Sequence, residues 1–182
     1  MGDLNVEDLY GIPYGCDVAT GTRVASNTVM EGALFLAERG CVVNRLIMEC
    51  TAVTASPTAA IALYQFSGGE MNDGSDVAPR LFLLQAQAMS VGLLTLTISP
   101  QVTIEEGFYF LTIGRDGGTS FTFRGHAGLA NLTVWTNPGV APAFPVLFSD
   151  PAAPSAPAAT LNLAAVSSLV NNQALVHRFL KV

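Results

Sequence analysis

Two apolar blocks of strand length flank a loop of turn residues near the middle of the chain, and this arrangement constrains the fold more than any other feature. Pro57–Phe66 reads PTAAIALYQF, Ser67–Pro79 is rich in Gly, Asn, Asp and Ser, and Arg80–Met89 reads RLFLLQAQAM. Blocks of this length bounded by turn formers are strands, because Gly, Asn and Asp take the backbone conformations that a reversal needs. Gly107–Gly114, GFYFLTIG, repeats the block pattern. A chain of such units builds sheets. By itself it specifies a β-rich module whose work is to hold surfaces together, without naming the surfaces.

Further strands follow from the same reasoning. Thr28–Ala37 and, after the turn Glu38-Arg39-Gly40, Cys41–Val53 are dense in apolar residues. The valines, isoleucine and threonines of the second favour a pleated surface over a helix, where β-branched side chains lose rotamer freedom. Gly92–Ser99 has the cleanest alternation, with Leu94, Leu96 and Ile98 interleaved with Thr95, Thr97 and Ser99. Period two places those two sets on opposite faces. Val102–Ile104 is a short approach to the turn Glu105-Glu106-Gly107. Arg115-Asp116-Gly117-Gly118 is a hairpin signal leading to Thr119–Arg124, with Phe121 and Phe123 on one face. Asn131–Thr136 carries the single tryptophan, Trp135, and Ala143–Ser149 suits a sheet edge because Pro145 cannot donate to a central ladder.

Asp150–Thr160, DPAAPSAPAAT, is low in complexity and reads as an extended segment that carries the chain across the surface. In Leu161–Val182 a helical face competes with the turn signal Asn171-Asn172, and a closing strand at Gln173–Lys181 fits the rest of the chain better. Asp3–Thr22 shows no sustained period and reads as an irregular leading arm. The expectation is an all-β chain: an antiparallel, jelly-roll-like β-sandwich over 28–182 preceded by an irregular N-terminal arm over 1–27. No repeat of twenty to fifty residues marks a solenoid or propeller.

With 182 residues the chain can bury roughly 70% of its unfolded surface in one core. Half of the residues are hydrophobic, 12% are charged and mean hydropathy is +0.43. This is greasy for a lone protomer and points to apolar surface that meets a partner. A net charge of −6 with one lysine, Lys181, offers no basic patch to displace counterions from a phosphate backbone, so no nucleic-acid partner is expected. The N-terminus lacks the basic and apolar regions of a secretory signal, and no apolar run has the length of a membrane helix. The chain is expected to stay in the compartment where it is made, with no membrane partner. Gly2 does not make a myristoylation site, because Val6 stands where Ser or Thr is required.

A search for chemistry returns little. His126 and His177 stand in no metal-binding arrangement and read as surface or interface histidines. Cys16, Cys41 and Cys50 fit neither a zinc knuckle nor a redox pair and read as buried reduced thiols; pairing Cys16 or Cys50 with His126 as nucleophile and base has no support in spacing. Glu70, Asp73 and Asp76 could offer oxygens to calcium, yet the loop lacks EF-hand spacing and reads as a solvated turn. Glu105-Glu106 point apart on a turn, and Arg115-Asp116 is a loop tip before it is a ligand site. Tyr64, Phe108, Tyr109, Phe110 and Trp135 could stack on sugars, but alternate members of such a set on strands belong to a core. Asn131-Leu132-Thr133 is a glycosylation acceptor by letter only. The residues assign no catalytic, cofactor or metal site, and leave binding residues open.

Several segments together resemble a known family. Arg45–Val53 with Thr54–Phe66, RLIMECTAV-TASPTAAIALYQF, then Gly68–Arg80, then Glu105–Gly114, EEGFYFLTIG, and finally Val176–Val182, VHRFLKV, are similar to a β-sandwich domain of tailed-bacteriophage virion proteins. That domain occurs in head-decoration, head-fibre and tail-fibre components. Ala62-Leu63-Tyr64 and Gly107-Phe108-Tyr109-Phe110-Leu111 stand where the family has its characteristic tyrosine strands, with Phe110 where tryptophan is common. The resemblance implies a non-enzymatic virion subunit without cofactors, a homotrimer, decorating the capsid in contact with the major capsid protein and assembled in the host cytoplasm. The alternative it implies is a tail-associated fibre or receptor-binding module whose loops, such as Glu70–Asp76 and Arg115–Gly118, meet a glycan. A glycan depolymerase comes third, since its clustered carboxylates are missing.

Overall fold

The computed structural model describes residues 9–11, 20–37, 40–66, 77–127, 147–163, 165–168, 173–175 and 177–182. Fourteen strands appear there: β1 (Leu9–Gly11), β2 (Thr20–Val24), β3 (Met30–Ala37), β4 (Cys41–Val53), β5 (Thr58–Gln65), β6 (Val77–Ala88), β7 (Gly92–Ile104), β8 (Gly107–Gly117), β9 (Phe121–Ala127), β10 (Leu147–Asp150), β11 (Thr160–Asn162), β12 (Ser167–Ser168), β13 (Gln173–Leu175) and β14 (His177–Lys181). All are paired antiparallel, in two sheets of seven.

In the first sheet β4 is the spine. One edge pairs with β7, and the other pairs first with β14 and then with β9, which in turn pairs with β2 and β13. Consecutive β13 and β14 thus run along β9 and then β4, and the expected closing strand at Gln173–Lys181 is borne out. The second sheet has the order β11-β6-β5-β8-β3-β10-β12. From β2 to β9 the chain changes sheet at every step except β5 to β6, which gives β2-β9-β4-β7 facing β3-β8-β5-β6.

Strand alternation places the core between the sheets. Val43, Leu46, Met48 and Cys50 of β4, Leu96 and Ile98 of β7, Phe121 and Phe123 of β9, and Phe179 of β14 meet Phe35, Ile61, Leu63, Phe82, Tyr109 and Leu111 from the other sheet. The pairing of Phe121 with Phe123, and the Leu96/Ile98 alternation, are as the period-two reading expects.

A second core lies on the outer face of the second sheet. There Met30, Leu34, Ala60, Ala62, Tyr64 and Phe110 are covered by Phe148, Leu161 and Leu163. The Pro/Ala segment between Asp150 and Thr160 therefore does more than cross the surface. It straps this face, with Pro154 and Pro157 buried, and β5 and β8 are buried on both sides as a result. Small outward residues make room on this face: Ala60 and Ala62 on β5 and Gly114 on β8 beneath the second core and the strap, and Gly32 on β3 beneath the Phe148 ring of β10.

Three expectations need correction. The leading arm is not wholly irregular, because β1 pairs with β14 and β2 with β9 over registers Leu9↔Phe179 and Thr22↔Arg124. Gly92–Ser99 and Val102–Ile104 form one strand, β7, whose register with β4 shifts between Val43 and Arg45; Pro100 is accommodated because β7 pairs only with β4 among the described residues. Arg115–Gly118 does not close a hairpin. β8 and β9 lie in different sheets. Gly118 takes φ +67, and a β-carbon there would sit 2.4 Å from the Ser56 carbonyl oxygen. Thr54 N–H to Ser120 O (2.9 Å) and Thr119 Oγ1 to Ala55 O (2.8 Å) hold this corner against the preceding loop and turn the chain into the other sheet.

Candidate functional site

Most side chains that the sequence offers for chemistry are taken up by packing. Tyr64, Tyr109 and Phe110 are fully buried, and Phe108 packs half-buried against the second core, so the core reading of these aromatics is borne out. Tyr109 Oη donates to Glu105 O (3.0 Å) and accepts from Glu105 N–H (2.9 Å), so it pins the turn on which Glu105 and Glu106 stand exposed. His177 is not a surface histidine. It is 5% exposed, with ring centroids 5.0 Å from Phe35 and 5.3 Å from Phe179, because it shares the inward parity of Phe179 on β14.

Neither Cys41 nor Cys50 is in a disulfide; Cys50 is buried as expected whereas Cys41 is only half-buried, and burial pushes the Cys50 thiol up, partly offset by its bond to Ala52 O at 3.4 Å. Cys16, Glu70–Asp76, Asn131–Thr133, Trp135 and the His126 side chain lie outside the described residues. Among the described residues no group of three His, Cys, Asp or Glu is placed to hold a metal, and no helix is long and apolar enough to cross a membrane.

The Arg115–Gly118 corner does border a concavity. Asn27, Arg115, Asp116, Gly117, Gly118 and Ser155 line an open cleft of about 250 Å³. Asp116 Oδ2 accepts the Ala86 N–H at 2.6 Å, where Ala86 takes φ +53 in β6, while its shielded Oδ1 has no hydrogen-bond partner among the described residues. Arg115 N–H donates to Ser26 O at 2.7 Å. Asp116 is thus mainly structural, and the cleft can offer a guanidinium, an amide and a hydroxyl to a polar ligand. Sequence spacing singled out Arg115 and Asp116. It could not find Asn27 and Ser155, which arrive from segments distant in the chain.

Polar pins fasten the strap. Tyr64 Oη donates to Ala158 O (3.1 Å), Arg80 Nη1 to Pro157 O (2.8 Å) and Ala158 O (3.0 Å), and Gln85 Nε2 to Ser155 O (2.6 Å). Burial, followed by the charge of Asp150, pushes the Tyr64 phenol up to about 12, with Arg80 pulling the other way. Asp150 is 5% exposed; its Oδ1 takes the Ala152 N–H at 3.0 Å, and its buried Oδ2 has no partner among the described residues. Burial holds this carboxyl above the usual carboxylate range against the pull of the Ala152 N–H.

Two arginines make bidentate pairs. Arg23 of β2 clamps both oxygens of buried Glu31 on β3 and ties one sheet to the other. On the outer face of the first sheet Arg124 meets Glu49 with two contacts of 3.0 Å, which holds the Glu49 carboxyl below its ordinary value.

No protein-family model matches the sequence, and no curated protein does. Among solved structures the chain is similar to the cysteine protease and lectin-like domains of a surface-layer-associated protein of Clostridium difficile, at 10% identity and a TM-score of 0.44. The likeness covers 90% of this chain and 36% of that one.

Proposed function

We propose that this chain is a non-enzymatic structural protein of a bacteriophage virion, which decorates or stabilises the capsid through contacts with its own copies and with the major capsid protein. The observation that carries the reading is the asymmetry of the two sheets. The central strands β5 and β8 of the second sheet are buried on both faces, by the first sheet on one side and the strapped outer core on the other, and form a stiff slab. Among the described residues nothing covers the outer face of the first sheet, where Leu93 of β7 is 70% exposed and the neighbouring Val91 64%. A chain so apolar, with one face sealed by itself and the other presented, suits a subunit that completes its burial against neighbours.

The segments that resemble the virion domain also meet in space. β5 and β8 are adjacent with Leu63↔Leu111 and Tyr64↔Phe110, and β4 and β14 are adjacent with Leu46↔Phe179. The alternation of β2 to β9 between sheets reads as jelly-roll-like. The N-terminal segment is the anchor to the particle in this reading. Because β1 and β2 belong to the sheet, the cut that tests the anchor is after Asp8. A protein lacking residues 1–8 that keeps its fold and loses particle binding supports the anchor; full occupancy by that protein contradicts it.

The cleft at Asn27, Arg115, Asp116 and Ser155 favours a second reading, a receptor-binding module that takes a glycan through hydroxyl contacts. A glycan array probed with the intact protein and with Asn27→Ala distinguishes the two. Binding abolished by the substitution favours the module, and an empty array removes it.

A further inference from the structure

We propose that the free edge of β7 pairs antiparallel with the same strand of a second copy about a two-fold axis, joining two first sheets into one continuous sheet. Among the described residues β7 pairs only with β4, so a row of N–H and C=O groups on its other side has no strand against it. Edge strands in soluble proteins are protected by charges, prolines, bulges or short length. β7 is 13 residues long and, as GLLTLTISPQVTI, contains no charged residue. Pro100 and the register shift opposite Val43 and Arg45 protect only its second half. From Gly92 to Thr97 the ladder with β4 is regular, Cys50↔Gly92 through Arg45↔Thr97, and its outer edge carries neither device.

The chemistry of the strand selects the occupant. Two copies of a chain with net charge −6 repel over most approaches, and an uncharged strand is where they meet with least like-charge contact. A charged peptide would find no counter-charge on β7 itself. Antiparallel self-pairing keeps inward parity, so Leu94, Leu96 and Ile98 of both copies extend the apolar layer while Thr95 and Thr97 meet their equivalents on the outer face. Such a contact is isologous and closes at two copies, unlike the three-fold assembly that the family resemblance implies. It stands apart from the particle reading, because it is measured on isolated protein.

The test is the solution mass of the intact protein and of charge variants at Thr95, an exposed residue near the middle of the unprotected run. Two copies of Thr95 lie opposite or diagonal across the axis. The wild type is expected at twice 19.0 kDa. Thr95→Lys and Thr95→Glu, each with a native-like circular dichroism spectrum, are expected to lose the dimer, and an equimolar mixture to regain it. Thr103→Lys, in the protected half, is expected to remain dimeric. A monomeric or three-fold wild type, a dimer indifferent to both charges at Thr95, or a mixture that stays monomeric overturns the proposal.

Discussion

Gly114 and Pro154 approach so closely that a β-carbon on Gly114 would lie 2.6 Å from Pro154 Cγ. On the adjacent strand β3, diagonal to Gly114 on the same face, a β-carbon on Gly32 would lie 2.5 Å from Phe148 Cζ. Gly114 leaves room for Pro154 of the strap, and Gly32 leaves room for the Phe148 ring of β10. Gly114→Ala must lift the strap or push β8 inward, and is expected to cost about 1–3 kcal/mol, the usual penalty of overpacking. Gly40→Ala, whose β-carbon would meet nothing nearer than 3.5 Å, is expected to stay within about 0.5 kcal/mol of the wild type. Urea denaturation of the two variants checks the contrast.

Tyr64 closes the strap from below through its bond to Ala158 O. Tyr64→Phe is expected to lose about 1 kcal/mol, the net worth of such a bond, and to speed hydrogen exchange in the strap more than in β4. Alkaline titration gives an independent check. The folded phenol is raised to about 12 from an ordinary 10.0, so its contribution is fully present below pH 10 and is lost as pH rises through about 12. Phenolate absorbance should show a late-titrating tyrosine that is missing in Tyr64→Phe.

Asp150 gives the opposite end of the pH scale. Its folded pKa is raised above 3.8 by burial, so the native state holds the proton more tightly than the unfolded chain does. Its contribution to stability is fully present below 3.8 and declines as pH rises through the raised value. Asp150→Asn keeps an acceptor for the Ala152 N–H and removes the titration. The stability of the variant relative to wild type is expected to rise from acid toward neutral pH, and thermal melts across that range measure it. A constant difference contradicts the assignment.

The two arginine pairs should behave differently. Arg23→Ala leaves the buried Glu31 carboxylate without its clamp and unties β2 from β3. With Arg23 34% exposed, the loss is discounted to about 2–3 kcal/mol. Arg124→Ala breaks an exposed pair, and its effect should be small and should vanish in high salt. Denaturation at low and high salt separates them.

Period two made the first half of β7 and the Phe121/Phe123 face of β9 legible, because a half-buried strand must alternate whatever it pairs with; β4 and β5 were legible as apolar or β-branched blocks bounded by turn residues, and the closing strand by its consistency with the rest. What stayed hidden depends on pairing between distant segments. The turn residues at Arg115–Gly118 announce a reversal, but contacts with Thr54–Ser56 decide that it leads into the other sheet. A Pro/Ala run looks extended from its letters; that it buries Pro154 and Pro157 follows only from Gly114, Ala60 and Ala62, which read locally as weak strand residues. The cleft was half visible, through Arg115 and Asp116, since Asn27 and Ser155 carry no local signal. The inward turn of His177 was missed although the parity it shares with Phe179 was in the sequence.

The proposed function has this protein coating an assembled particle. Quantitative mass spectrometry of purified virions, combined with imaging of labelled protein on them, tests it most directly. The account predicts many copies spread over the head. Absence of the chain from the particles contradicts it, and a few copies confined to the tail would contradict capsid decoration in favour of the receptor-binding reading.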